Sequence, residues 1–199
     1  FKPYLKGIVG STETIEPGLH NKICPSKPLD VYEKMFNFAK ELDIPRAMTF
    51  IVGMGEDESH LKYVIDFIKK HEISKIHLFS LTPHPGTMLG DMPMPTKEYH
   101  AWWISELRIY FPKLDIQCGI WVDRVDRISF LLNAGANSFA KFKGLELFGT
   151  SLAYEMKDQV ELSGRKFKSN LTKIPDIDFN SEIEKLNIDQ KLKDEIKIK

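Results

Sequence analysis

The chain carries two cysteines, Cys24 and Cys118, in 199 residues. No disulfide framework can hold it, and a reducing compartment is expected. No apolar run approaches the ~18 residues of a membrane span, and no signal-peptide pattern is visible, so the cytoplasm is the expected location. An excess of one charge is also missing, because 28 Lys+Arg balance 28 Asp+Glu. That balance leaves no basic field for nucleic acid and no polybasic block for a membrane. The six histidines form no HxxxH or HxH pair, so no zinc site is expected. A GK[ST] triplet is absent, which removes a Walker loop. The first residue is Phe1 rather than methionine, so a longer chain is expected upstream.

Strand-like apolar runs alternate with helical patterns. Tyr4–Ser11 reads as a strand. Leu29–Leu42 reads as a helix with Val31, Met35, Phe38 and Leu42 on its core face. Arg46–Gly55 is the second strand, and the helix that follows carries the stripe Leu61, Val64, Ile65 and Ile68. Its acids come first and its lysines last, which suits the helix dipole. A third strand, "KIHLFSLTP", stops at the Pro/Gly turn "TPHPGT". Thr96 is the expected N-cap of a third helix. "LDIQCGIWV" is the fourth strand, Arg124–Asn133 a helix, "AGANSFAKF" a short fifth strand and Leu152–Leu162 a closing helix. The alternation predicts an α/β fold, a partial (β/α) TIM-type barrel with about five β/α units over 1–175. Residues 176–199 read as a polar tail with at most one short helix.

In such a barrel the chemistry sits at the strand C-terminal ends. Here those ends are Ser11–Glu13, Gly53–Glu56, Ser80–His84, Gly119–Arg124 and Lys141–Lys143, rich in Gly, Ser, Glu, His, Trp, Asp and Arg. Gly53-Met54-Gly55 looks like a phosphate turn, but Glu58 replaces the third glycine of a dinucleotide fingerprint. Three consecutive acids would repel pyrophosphate at a helix start. Asp57 and Glu58 suit the helix N-terminus, and Glu56 is free to aim into the barrel mouth at a hydroxyl, an amine or a sulfonium. Ser11 and Glu13, two apart, share a face if the strand continues that far, or are turn residues. Trp121 and Asp123 share a face on the same argument. Arg124 suits bidentate binding of a carboxylate or an ion pair with Asp123 that locks the loop. Cys118 reads as a core residue and Cys24 as an exposed loop residue. His84, between two prolines, is the one histidine singled out for a site. In Ala101–Trp103 at least one tryptophan is expected in the core.

Three segments, "FIVGMGE", "SLTPHPGTML" and "AGANSFAKFKGLELFGT", together resemble the biotin-synthase-like branch of the radical S-adenosylmethionine (SAM) enzymes. The resemblance spans Ile8 to Arg165. It implies a barrel that holds SAM and a [4Fe–4S] cluster and generates a 5′-deoxyadenosyl radical. The family motif GxIxGxxE matches Ile51, Gly53 and Glu56, with Gly55 inside the turn and Thr49 in place of its first glycine. The ribose-contacting strand end matches Ser11 and Glu13, and the backbone around Phe79 and Leu81 matches the strand that meets adenine. The substrate would face Thr49, His84, Trp121, Asp123 and Arg124.

The CxxxCxxC motif of the family is absent, so the cluster ligands are expected upstream and no metal ligand is assigned in this segment. A cysteine and an arginine that hold the second cluster of biotin synthase fall on Ala47 and Ile120. Sulfur insertion is therefore not expected. The resemblance points to cofactor biosynthesis of another kind, in relatives such as the hydrogenase maturase, methylornithine synthase, archaeal lipoyl synthase or the enzyme of iron-guanylylpyridinol assembly. A small-molecule substrate and an electron donor such as ferredoxin or flavodoxin are implied, with transferase chemistry and either a homodimer or a partner subunit. Two rivals stand beside this reading. One is a cluster-free barrel that scaffolds a partner. The other is a barrel aldolase or isomerase using Lys141 or Lys143 beside Gly144.

Overall fold

The computed structural model describes residues 4–140, 143–168 and 170–197. The strands are β1 (Ile8–Glu13), β2 (Arg46–Val52), β3 (Lys75–Ser80), β4 (Asp115–Gly119) and β5 (Ser138–Ala140). The helices are α1 (Pro17–Ile23), α2 (Leu29–Glu41), α3 (Leu61–His71), α4 (Lys97–Tyr110), α5 (Ile128–Asn133), α6 (Gly144–Leu147), α7 (Ser151–Leu162), α8 (Phe179–Glu184) and α9 (Gln190–Lys197). The strands form one sheet in the order β1-β2-β3-β4-β5, all parallel. The chain folds as a partial (β/α) barrel.

Alternation along each strand separates two faces. Met48, Phe50, Val52, Ile76, Leu78, Ile116 and Cys118 are fully buried and join the core with Val64, Ile68, Trp103, Ile104 and Leu107 from α3 and α4. The opposite face carries Thr49, Ile51, His77, Phe79 and Gln117, all half-buried. Parallel register sets these side by side, Thr49 beside His77 beside Gln117, and Ile51 beside Phe79. The interior face is therefore mixed and partly polar, whereas the helix-facing side is almost wholly apolar.

The stripe expected on α3 is buried as read, and Thr96 caps α4 by accepting the Tyr99 amide hydrogen at 3.1 Å. On α2 the expected face is displaced. Val31 and Phe38 are exposed, whereas Phe36 and Ala39 are buried. The helix has two apolar stripes, and docking selects the one whose Phe36 covers Gly10, where a Cβ would sit 2.6 Å from the ring. Cys24 is buried rather than exposed. The first strand starts and ends later than its apolar run suggests, because Gly10 opposes Met48 whereas Glu13 opposes Phe50. One extra residue is accommodated there as a bulge, and Glu13 takes φ +63°. Residues 176–197 contain two short helices, α8 and α9, rather than at most one. Asp178 caps the first of these.

Candidate functional site

The C-terminal ends of β1, β2, β3 and β4 surround a cavity of about 390 Å³. It is lined by Glu13, Thr49, Ile51, Phe79, Ser80, Leu81, Thr82, His84 and Trp121. Its size falls within the roughly 300–1,000 Å³ common for small-molecule sites. Seven of these nine are residues singled out in the sequence. Their convergence follows from topology, since parallel strands deliver their C-terminal ends to one side.

Glu13 reaches the cavity through the bulge. Its carboxylate meets the Lys27 ammonium at 3.2 Å, and the Thr12 hydroxyl donates to the Thr49 carbonyl at 2.5 Å across the β1–β2 seam. Burial pulls the Lys27 ammonium down, but the Glu13 pair outweighs it and the net shift is upward. Glu16, which the sequence did not single out, follows at once as the cap of α1 and accepts from the Gly18 and Leu19 amides. His20 on that helix is fully buried, with Nδ1 2.8 Å from the Thr14 carbonyl and Nε2 2.6 Å from the Lys27 carbonyl. That imidazole ties Lys27, and with it the Glu13 partner, to the strand end.

Phe79 stands over Gly119, where a Cβ would approach its ring to 1.9 Å. The absent side chain of Gly119 thus makes room for the ring that forms part of the cavity wall. The Thr49 hydroxyl is buried without a hydrogen-bond partner among the described residues. Beside it, His77 Nδ1 lies 2.6 Å from Gln117 Oε1, and Gln117 Nε2 donates to the Ser138 hydroxyl at 3.3 Å. Burial lowers the His77 pKa. His77 and Gln117 form a polar row that the sequence reading missed. The usable signal was period two, since His77 alternates with Phe79 and must share its face.

Several expected residues lie elsewhere. Ser11 is exposed, because the bulge breaks the two-residue spacing that would align it with Glu13. Gly53 and Gly55 have φ +98° and +112°, so they serve the turn. A Cβ on Gly53 would sit 2.2 Å from Pro95 Cγ, so the missing side chain makes room for Pro95. Glu56 does not aim into the barrel mouth. It folds back to accept the amide hydrogens of Gly53 at 2.5 Å and Met54 at 2.8 Å. Burial raises its pKa, while the backbone hydrogen bonds oppose that rise. Asp57 caps the short 3₁₀ turn Glu58–His60.

Past β4 the chain turns into a 3₁₀ segment, Val122–Arg127, so Asp123 does not follow Trp121 along a strand and its side chain is 62% exposed. Arg124 is 3% exposed and donates to the Ser80 hydroxyl and the Thr82 hydroxyl, both at 2.7 Å. Burial lowers its pKa, and Asp123, 3.8 Å from Nε, opposes the shift. Lys143 pairs with Glu146 at 3.0 Å on the surface, and Lys141 lies outside the described residues. Among the described residues, no lysine lines the cavity.

Among the described residues, no three His, Cys, Asp or Glu side chains are grouped to hold a metal ion. Burial pushes the Cys118 thiol up to about 12 and raises Cys24 as well. Neither suits a cluster ligand, which must be a thiolate. These residues do not fit an iron–sulfur cluster. The cavity wall instead offers one carboxylate, Glu13, and two aromatic side chains, Phe79 and Trp121.

No family model matches the chain. An uncharacterized protein of Methanocaldococcus jannaschii is 34% identical over 170 residues, covering 85% of this chain and 47% of that protein. The chain thus spans about half the length of this curated relative. The ribosomal protein uS12 methylthiotransferase RimO of Microcystis aeruginosa is 37% identical over 59 residues, 28% of this chain and 14% of that protein. Among solved structures, methylornithine synthase superposes with a TM-score of 0.66 at 20% identity, covering 81% of this chain and 52% of that one. The FeFe-hydrogenase maturase HydG of Carboxydothermus hydrogenoformans gives 0.55 at 15%, covering 88% and 40%. The fold is a partial (β/α) barrel like those of these two solved structures. Within that fold, Glu13 of β1, Thr49 and Ile51 of β2, the end of β3 with the chain through His84, and Trp121 after β4 frame the cavity. No helix among the described residues is long and apolar enough to cross a membrane.

Proposed function

We propose that this chain is the SAM- and substrate-binding part of a radical SAM enzyme of the biotin-synthase-like branch. It acts in cofactor biosynthesis by a route other than sulfur insertion. The observation that carries this reading is the cavity itself, where Glu13, Phe79 and Trp121 meet at the strand ends of a radical-SAM-type barrel. When bound, SAM with its cluster would supply a 5′-deoxyadenosyl radical. The protein's part is to bind, orient and exclude water.

In this reading Glu13 meets a cationic or hydroxyl group of the cofactor, and Phe79 and Leu81 flank the adenosine. Gly53, Gly55 and Glu56 hold the turn that fixes β2, and Ser11 stays outside. Thr49, His84 and Trp121 face the substrate. Arg124 acts from behind the wall, and Asp123 restrains it. Ala47 and Ile120, both buried and apolar, support the departure from biotin synthase. The substrate is a small molecule, the electron donor is of the ferredoxin or flavodoxin kind, and the compartment is the cytoplasm. A homodimer or a partner subunit would complete the assembly.

The test is anaerobic reconstitution of the full-length gene product with iron and sulfide. Formation of 5′-deoxyadenosine from SAM and a reductant is the expected result. A full-length product that binds no [4Fe–4S] cluster and forms no 5′-deoxyadenosine would sink the reading.

A further inference from the structure

We propose that the Ser80 and Thr82 hydroxyls, backed by Arg124, form a carboxylate-binding subsite in the cavity wall. Both residues line the cavity, two apart at the end of β3. Each hydroxyl oxygen accepts a guanidinium N–H of Arg124 at 2.7 Å. The hydroxyl hydrogens are therefore the groups left to donate, and neither finds an acceptor among the described residues. Two polarised O–H donors side by side match the two oxygens of a carboxylate.

The charge balance points the same way. Arg124 is 3% exposed, and its Nε is buried without a hydrogen bond. The acid nearest to it, Asp123, stands 3.8 Å away and largely in solvent. Arg127 adds positive field from its own side. A buried guanidinium with so little compensation favours an anion nearby. Glu13, across the same cavity and held by Lys27, disfavours a dianion such as phosphate and suits a positive centre. Together they describe a ligand with a carboxylate at one end and a cationic group at the other. Two sources share this chemistry, the methionyl group of SAM and a carboxylate-bearing substrate. Only the first rests on the radical SAM reading.

The experiment uses the full-length gene product, purified anaerobically, and its Thr82→Val variant, which removes the hydroxyl with little change of shape. One arm titrates S-adenosylhomocysteine and 5′-methylthioadenosine, which lacks the carboxylate, by calorimetry. The other follows binding of trifluoroacetate by ¹⁹F NMR with no nucleoside present. Loss of about tenfold in S-adenosylhomocysteine affinity, with 5′-methylthioadenosine unchanged, assigns the subsite to the methionyl carboxylate. Loss of trifluoroacetate binding with S-adenosylhomocysteine unchanged assigns it to the substrate. Thr82→Ser should restore whichever is lost. If the protein binds trifluoroacetate through Thr82 but no nucleoside, the subsite stands and the radical SAM reading fails. Unchanged affinities in both arms, or a wild-type protein that binds neither carboxylate probe, would overturn the subsite.

Discussion

The Glu56 carboxylate accepts the Gly53 amide hydrogen at 2.5 Å, closing the turn that ends β2 on itself. The acid that looked aimed at a ligand is thus consumed by its own backbone. Removing the acceptor leaves the buried Met54 amide and the half-buried Gly53 amide without partners, which costs on the order of 1–3 kcal/mol. Glu56→Ala should lower the urea midpoint of the full-length protein accordingly, and weaken nucleoside binding only as a consequence. Glu56→Gln, which keeps one carbonyl acceptor, should fall between. Abolished S-adenosylhomocysteine binding with an unmoved urea midpoint would instead make Glu56 a direct ligand contact.

Gly119 is where the cavity wall is most sensitive to a single methyl group. Its φ is ordinary, so the demand is for space, and a Cβ would lie 1.9 Å from Phe79 Cδ1. Gly119→Ala should push the Phe79 ring off its place at an overpacking cost of roughly 1–3 kcal/mol. Affinity for S-adenosylhomocysteine should drop about tenfold or more, since the ring belongs to the cavity wall. The double variant Gly119→Ala/Phe79→Leu should recover stability without recovering affinity. Calorimetry on the three proteins checks both halves.

His77 and Gln117 make a prediction about a proton. Gln117 donates its amide to Ser138, so its Oε1 is the atom facing His77 Nδ1 at 2.6 Å. Burial lowers the His77 pKa, so the ring is neutral at pH 7 and donates from Nδ1. Its Nε2 is then an acceptor, with no hydrogen bond among the described residues. Nitrogen NMR of labelled protein should show the Nδ1–H tautomer at pH 7. Gln117→Glu should raise the His77 pKa and yield the imidazolium. An Nε2–H tautomer in the wild type would refute the assignment.

The sequence made the barrel legible because its signals are local and repeated. The stripe of α3, the Thr96 cap and the glycine-ended strands each report on a few neighbouring residues. What it hid depends on partners far along the chain. Phe38 and Phe36 have equal claims to the core until Gly10 provides a seat for one of them. Ser11 and Glu13 keep their two-residue phase only if no residue is inserted into the ladder, and the bulge inserts one. Arg124 reads from the sequence as a carboxylate binder or the partner of Asp123, whereas the hydroxyls it meets, on Ser80 and Thr82, lie more than 40 residues away. No spacing rule connects them.

His100 ties α4 to β3, with Nε2 3.1 Å from the Leu78 carbonyl, and it is buried. Burial depresses its pKa to about 4, with the Leu78 hydrogen bond opposing and Arg127 and Arg124 adding to the depression. The folded protein thus holds a neutral imidazole, whereas the unfolded chain takes up a proton near pH 6.5. The unfolded state binds more protons between these values, so stability must fall as pH falls. The contribution is complete above about pH 6.5 and is lost progressively toward about 4. His71 and His77 are shifted in the same direction by burial and add to the same slope. His100→Gln keeps a donor for the Leu78 carbonyl and removes the titration. Between pH 7.5 and 5.0 the wild type should lose about 2 kcal/mol more unfolding free energy than this variant. Paired urea titrations at the two pH values measure that difference, and equal losses would show that His100 takes up its proton without unfolding.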